Sequence, residues 1–441
     1  MLQLHGPNMR WSDDGDWYVW SDESEVWKRD SWLPMRFYDE AVALIGTEAK
    51  NQKDEQERER LEKHYRASQQ AGYKRGSLDM ARTVFGPPLE TAHLDADPFL
   101  LKTAGNVVNL QTGDAVPATP DMLISKCTGV TYDVEAACPR FRCFLDEITL
   151  GDNELKAFIQ RAVGYTLTGD TREQVMFVLY GDGENGKSTL VDIISFLLGD
   201  YSVAGPPQML ARRQRNQTND LARLGGIRML TASEEASGGR MDEVLVKQLT
   251  GGDSIAARRL YEEFSDLECR AKIWMTTNYH LQIEGVDHAI WRRIKVIPFD
   301  ACFKNRRDGD LRNTLRDELP GILNWALEGC RDWQNTGLGS CAAVDEATTQ
   351  YRNSSDVLYD WMQSRTRSNS SAVTPVADLK DSFLNHTDMS PAEMNDKLFS
   401  ALLKQRGYQS VRRAYGVCYQ GIELHRRRRR RRGTIKMVVD E

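Results

Sequence analysis

An α/β fold built around a mainly parallel sheet is what this 441-residue sequence predicts, and three observations predict it. Residues 181–188 read GDGENGKS, a complete GxxxxGK[ST] phosphate-loop pattern. The run 175–180 before it is short, apolar and rich in β-formers, while Leu190, Ile193, Ile194 and Leu197 behind it recur at helical spacing. The glycines therefore sit where a strand turns into a helix. Three more β-like runs follow at 228–233, 271–277 and 294–299, and strands alternating with helices imply parallel pairing.

The elements around this core can be taken in chain order. Region 1–88 opens with five of the ten tryptophans, Trp11, Trp17, Trp20, Trp27 and Trp32, and WYVW-SDES-EVWK reads as two short strands around a polar turn. Such rings can stack nucleic-acid bases, but packing of an aromatic patch on the next helix is the expected role. From 41 to 84 the pattern is helical and strongly charged, and Gly-Pro-Pro at 86–88 ends it. Region 89–170 is expected to be α+β and helical: a β-like run at 106–110 precedes the turn residues 112–114, and an amphipathic stretch at 139–168 suggests two helices. Region 171–335 is the expected nucleotide core. The Gly/Ser-rich 337–340 and the Ser-Asn-Ser-Ser of 368–371 read as breaks before a small final domain. In 345–425, three short helices followed by a β-like 411–422 give a winged-helix-like pattern, and 426–441 is a basic tail holding seven consecutive arginines, Arg426 to Arg432.

Composition narrows the function. A net charge of −6 argues against a surface coated with basic residues, so any nucleic-acid contact must be local: a pore, a groove or the tail. The eight cysteines show no paired CxxC spacing and no histidines placed to complete a zinc site, which suits a reducing cytoplasm. No apolar stretch approaches the ~20 residues that span a bilayer, and the first residues lack a signal-peptide core. The expectation is a cytoplasmic protein, in the host cytoplasm if phage-encoded, without a membrane partner.

The chemistry of the loop fixes its residue types. Gly181, Gly183 and Gly186 let the backbone bend so that N–H groups and a helix N-terminus face a phosphate, with Asp182, Glu184 and Asn185 between them. Lys187 would reach the β and γ phosphates of ATP, and the Ser188 hydroxyl would ligate Mg²⁺, with Thr189 a neighbouring alternative. About 47 residues on, the run 228–233 delivers the acids Glu234 and Glu235, assigned to the metal and to the attacking water respectively. Asn278 at the next strand tip could hold the γ-phosphate or that water; Arg292 and Arg293 precede the last strand and could stabilise charge at a neighbouring subunit's nucleotide.

Between these lies LVKQLTGGDSIAARRLYEEFSDLECRAKIWMTTN, residues 245–278. The order of phosphate loop, paired acids, K-x-x-TGGD with ARRLY, strand plus Asn, then WRRI-x-VIPF resembles the superfamily 3 helicases, closest to the phage and plasmid primase-helicase branch related to poxviral primase-helicases. The resemblance covers about residues 90–335. It implies AAA-type ATPase domains in a hexameric ring, with nucleotide between subunits, single-stranded DNA in the pore and 3′ to 5′ translocation. It also implies DNA-binding roles for Lys247, Arg258, Arg259 and Tyr261 on a hairpin, although Glu262 and Glu263 depart from the basic tip of relatives. Of the two finger arginines, Arg293 is preferred. No acidic triad of a primase-polymerase stands in the first 90 residues, so a separate primase or polymerase is the expected partner. Duplex origin DNA would engage the C-terminal domain. The alternative is an ATP-switched origin-binding or assembly protein that oligomerises on DNA without processive unwinding.

Overall fold

The computed structural model describes residues 2–84, 88–206, 209–211, 218–233, 240–257, 265–278, 283, 288–304, 308–356, 358–387, 389–392 and 394–425. The chain divides into two compact units, one of residues 1–279 with 292–348, the other of residues 280–291 with 349–441.

The first unit begins with a three-stranded antiparallel sheet, β1 (Met9–Trp11), β2 (Trp17–Ser21) and β3 (Val26–Arg29). Its tryptophans are packing residues: Met9, Trp17 and Val19 share a cluster with Ala81 of the helix Ala71–Val84 and with Leu33 and Phe37 of the helix Leu33–Asn51. Arg82 lies 4.0 Å above the Trp11 ring, a cation–π contact. Trp32 is the exception at 76% exposed. The helix Leu33–Asn51 starts well before the charged pattern because Pro34 suits a helix's first turn, where its missing N–H costs nothing. The following helix, Glu55–Ser68, is capped by Asp54, whose carboxylate accepts from the Glu57 N–H at 2.9 Å.

A second small antiparallel sheet follows, β4 (Leu100–Lys102), β5 (Val107–Asn109) and β6 (Ala115–Val116). Tyr18, Trp20 and Trp27 cluster with Leu89, Leu94 and Leu123, and the buried Lys102 ammonium meets Glu25 at 3.0 Å, so this segment and the N-terminal sheet share one core.

The central sheet comprises β7 (Met176–Tyr180), β8 (Ser202–Ala204), β9 (Met229–Ser233), β12 (Lys272–Thr277) and β13 (Ile294–Pro298), with a β10 (Ser254–Ala257) and β11 (Ser265–Glu268) hairpin between β9 and β12 in the chain. Strand order is β13-β7-β12-β9-β8 and every pair is parallel. Phe177 and Leu179 of β7, Trp274 of β12 and Ile297 of β13 enter one cluster with the helices Pro139–Ile148, Asn153–Thr166, Lys187–Leu198 and Leu319–Thr336. The intervening Met176, Val178, Ile273 and Met275 are equally buried, as expected of a parallel sheet covered on both faces. β8, a three-residue edge strand, carries too little pattern to be visible in the sequence.

The second unit holds an antiparallel sheet, β14 (Thr366–Pro375), β15 (Gln409–Arg413) and β16 (Gly416–Leu424), in the order β14-β16-β15. Its helices Tyr359–Arg365, Val376–Leu384 and Asp396–Gln405 surround Trp361, Phe383 and Phe399. The break expected at 368–371 is instead inside β14, where the register shifts between Asn369 and Val373. Small polar residues suit such a bulge on a strand that is paired on one side only. Among the described residues, no helix is long and apolar enough to cross a membrane.

Candidate functional site

Parallel register puts the carboxyl ends of adjacent strands side by side. Tyr180, the last residue of β7, pairs with Thr277 of β12 and Pro298 of β13, and Thr276 pairs with Ser233, the last residue of β9. Loops leaving β7, β12 and β9 therefore start on one edge of the sheet, where open α/β sheets bind ligands.

The loop from β7 carries the glycine pattern and needs it. Gly183 and Gly186 adopt φ values of +97° and +89°, and Glu184 between them is also left-handed at +48°. A side chain on Gly181 would come within 2.3 Å of the Asn185 amide nitrogen and 2.4 Å of the Phe299 carbonyl oxygen. Gly186 caps the helix Lys187–Leu198 over Ile148 and Phe144.

Lys187, the first residue of that helix, is buried in the loop, its ammonium donating to the Gly181 carbonyl at 2.7 Å and to Asn185 Oδ1 at 3.0 Å. Burial pushes its pKa below the ordinary lysine value, with the Asp182 carboxylate opposing. Asn185 Nδ2 donates to the Phe299 carbonyl at 2.9 Å, and the Phe303 N–H donates to the Glu184 carbonyl at 2.8 Å. The segment after β13 thus forms a wall of the loop, a contact no local pattern announces. Ser188 and Asp182 are exposed, and Thr189 is half-buried.

Asn278 follows Thr277 directly and is exposed on the same edge as the loop. Glu234 and Glu235 follow the end of β9 in sequence but lie outside the described residues. So do Arg258, Arg259 and Tyr261, between the two arms of the β10–β11 hairpin, and the arginine tail. Lys247 is a half-buried residue of the helix Glu243–Gly251.

The arginine pair is not brought to this edge. Arg292 and Arg293 precede β13, and the Arg293 carbonyl accepts from the Met176 N–H at 2.7 Å, at the amino end of β7. The strand rise places them about 16 Å from the loop of their own chain. The two arginines differ in exposure. Arg293 is 8% exposed and donates to Thr250 Oγ1 at 3.2 Å and Gln174 Oε1 at 3.4 Å, whereas Arg292 is exposed and donates to Gln174 Oε1 at 3.1 Å. Gln174 carries no motif and Thr250 stands in the K-x-x-TGGD segment, but neither pattern ties it to the arginine pair, so their part in holding the pair is invisible before folding.

The strand order, with its phosphate-loop pattern on one strand end, is consistent with an AAA- or helicase-like α/β core. The A-form apo structure of the NrS-1 C-terminal region shares the fold, with a TM-score of 0.54 at 11% identity over 94% of this chain and 95% of that one. Residues 1–150 match the family described as D5 N terminal like, and residues 179–293 match DUF5906, a family of unknown function. The helicase-designated L207/L206 protein of Acanthamoeba polyphaga mimivirus is 27% identical over 315 residues, covering 66% of this chain and 33% of that protein. The helicase-designated 022R protein of frog virus 3 (isolate Goorha) is 26% identical over 261 residues, covering 54% and 26%. The primase-designated C962R protein of African swine fever virus (isolate Pig/Kenya/KEN-50/1950) is 21% identical over 374 residues, covering 78% and 38%. The chain is thus related to the D5-like, superfamily 3 group of viral and phage helicase-primases, and it spans 26–38% of the length of these three relatives.

Proposed function

We propose that this chain is an ATP-dependent DNA helicase of a phage, prophage or plasmid replication system. One observation carries the reading: the phosphate loop of β7 and Asn278 of β12 leave neighbouring parallel strands on one edge, beside the strand that runs into Glu234 and Glu235. The likeness to helicase-designated viral proteins supports it.

The residues present fit a magnesium-bound triphosphate. The left-handed glycines shape a concave backbone, the Lys187 ammonium lies within it, and the exposed Ser188 hydroxyl stands at the start of the helix. Bound MgATP supplies the phosphoanhydride whose cleavage drives movement. Lys187 would hold the β and γ phosphates, Ser188 and Glu234 the magnesium, Glu235 would orient the water and Asn278 would fix its position. Arg292 cannot serve the loop of its own chain across the sheet, so it would act at the nucleotide of an adjacent copy. That arrangement requires an oligomer, and a hexameric ring is the form proposed, with single-stranded DNA in the pore, 3′ to 5′ movement, and Lys247 and the β10–β11 hairpin on the DNA. The second unit would bind duplex DNA, and primer synthesis would fall to a separate protein.

DNA-stimulated ATP hydrolysis and unwinding of a forked duplex are the expected activities, both lost in Lys187→Ala. Hydrolysis undiminished in that variant refutes the site. DNA-dependent assembly and hydrolysis without strand separation would replace the helicase by the ATP-switched binding protein.

A further inference from the structure

We infer that Asn185 is a positioning residue of the phosphate loop: its side-chain amide, held by the Phe299 carbonyl, presents its oxygen to Lys187 and fixes where the ammonium stands. The inference rests on reading the loop as a triphosphate site. The GxxxxGK[ST] pattern leaves position 185 unspecified, so the pattern itself assigns Asn185 nothing.

The amide is used at both ends. Asn185 is 3% exposed; Nδ2 donates to the Phe299 carbonyl at 2.9 Å and Oδ1 accepts from Lys187 Nζ at 3.0 Å. Turning the amide over would set its NH₂ against an ammonium and its oxygen against a carbonyl, so only one orientation is compatible with both neighbours. The room for this bridge comes from Gly181, where a Cβ would collide with the amide nitrogen at 2.3 Å and with the Phe299 oxygen at 2.4 Å. Four residues beyond Phe299, the Phe303 N–H ties the same segment to Glu184 at 2.8 Å.

The consequence for the ligand follows from donor arithmetic. An ammonium has three N–H groups. Lys187 commits two to the Gly181 carbonyl, at 2.7 Å, and to Asn185, which leaves the third for a phosphate oxygen in a fixed direction. A long flexible side chain is thereby held in place before the anion arrives, which raises affinity by lowering the ordering cost of binding. The strap also links the loop to the chain leading to the helix Leu311–Asp317. Arg312 of that helix pairs with Asp192 of the phosphate-loop helix at 2.8 Å, and Arg316 lies 3.8 Å over the Phe196 ring.

The test is equilibrium binding of a fluorescent ATP analogue with Mg²⁺ to the full chain, alongside thermal melting without nucleotide. Asn185→Asp keeps the volume, removes the donor to Phe299 and pins Lys187 with a carboxylate. Asn185→Leu keeps the branched shape and number of side-chain heavy atoms, at slightly greater volume, and removes both polar ends. The positioning role predicts that affinity falls about tenfold or more in Asn185→Leu and further in Asn185→Asp, with melting within a few degrees of wild type. A space-filling role predicts wild-type affinity in Asn185→Leu, and affinity within twofold of wild type there overturns the inference whether or not Asn185→Asp folds. Wild-type protein that fails to bind the analogue, or Lys187→Ala that binds it equally well, sinks the triphosphate reading itself.

Discussion

Replacing Gly164 by alanine should destabilise the first unit, although the same change in an isolated helix would stabilise it by about 1 kcal/mol. Gly164 lies in the helix Asn153–Thr166, where it meets the helix Leu319–Thr336 at Gly329 and Cys330. A Cβ at 164 would stand 2.1 Å from the Cys330 nitrogen and 2.3 Å from the Gly329 carbonyl carbon. Ordinary contact begins at 3.4 Å, a shortfall of 1.3 Å against backbone atoms that have no rotamer to change. The helices must part, loosening Phe158, Ala162 and Val163 from the cluster they share with Ile322, Ala326 and Cys330. Overpacking of this kind costs about 3 kcal/mol, so after the helix-propensity gain the net loss is about 2 kcal/mol and, for a unit of this size, Tm falls by about 3 °C. Gly329→Ala is the matching change, with its Cβ 2.1 Å from the Gln160 carbonyl oxygen. The double variant should lose less than the sum of the two, because one separation accommodates both methyl groups. Thermal unfolding followed by circular dichroism reads the effect, and a Tm at or above wild type for Gly164→Ala would refute the reasoning.

Other outcomes are expected from the same structure. On the proposed reading Arg292→Ala should lower ATP hydrolysis by about 10³-fold while nucleotide affinity stays intact, whereas Arg293→Ala should chiefly lower Tm by emptying a buried site and removing the bonds to Thr250 and Gln174; equal kinetic losses in both would remove the distinction. Trp361→Ala should unfold the second unit, since its ring lies 5.8 Å from both Phe383 and Phe399 and its loss costs about 3–5 kcal/mol; protease resistance of residues 349–425 would contradict this. Burial, and then the charge of Arg228, hold the Lys272 pKa well below the ordinary lysine value. The unfolded chain therefore takes up a proton there, and native stability rises with pH between the depressed value and about 10.4. Tm measured from pH 7 to about 9.5 should rise in wild type relative to Lys272→Met, and parallel profiles would show that Lys272 titrates alike in both states.

What could be read before folding was what is local. GDGENGKS names its own geometry because a left-handed backbone at Gly183 and Gly186 is a property of glycine itself, and the helix behind it follows from apolar spacing. The runs that became β7, β9, β12 and β13 were legible because a strand buried on both faces is apolar throughout. Legibility ended where a role depends on a distant partner. Asn185 reaches its carbonyl 114 residues away, and Arg293 is committed to Thr250, 43 residues before it. The Ser-rich 368–371 shows the opposite failure, since polar composition marks exposure and an edge strand is exposed too.

By itself, then, the sequence determined the parallel α/β class and the backbone geometry of one loop, because backbone freedom and strand or helix periodicity are set within a few residues. Tertiary structure decided which face of the sheet edge each motif shares, which arginine is exposed, and the sign of an alanine at 164. Those depend on the closeness of segments far apart in the chain, and only the packed fold brings Gly164 and Gly329 into contact.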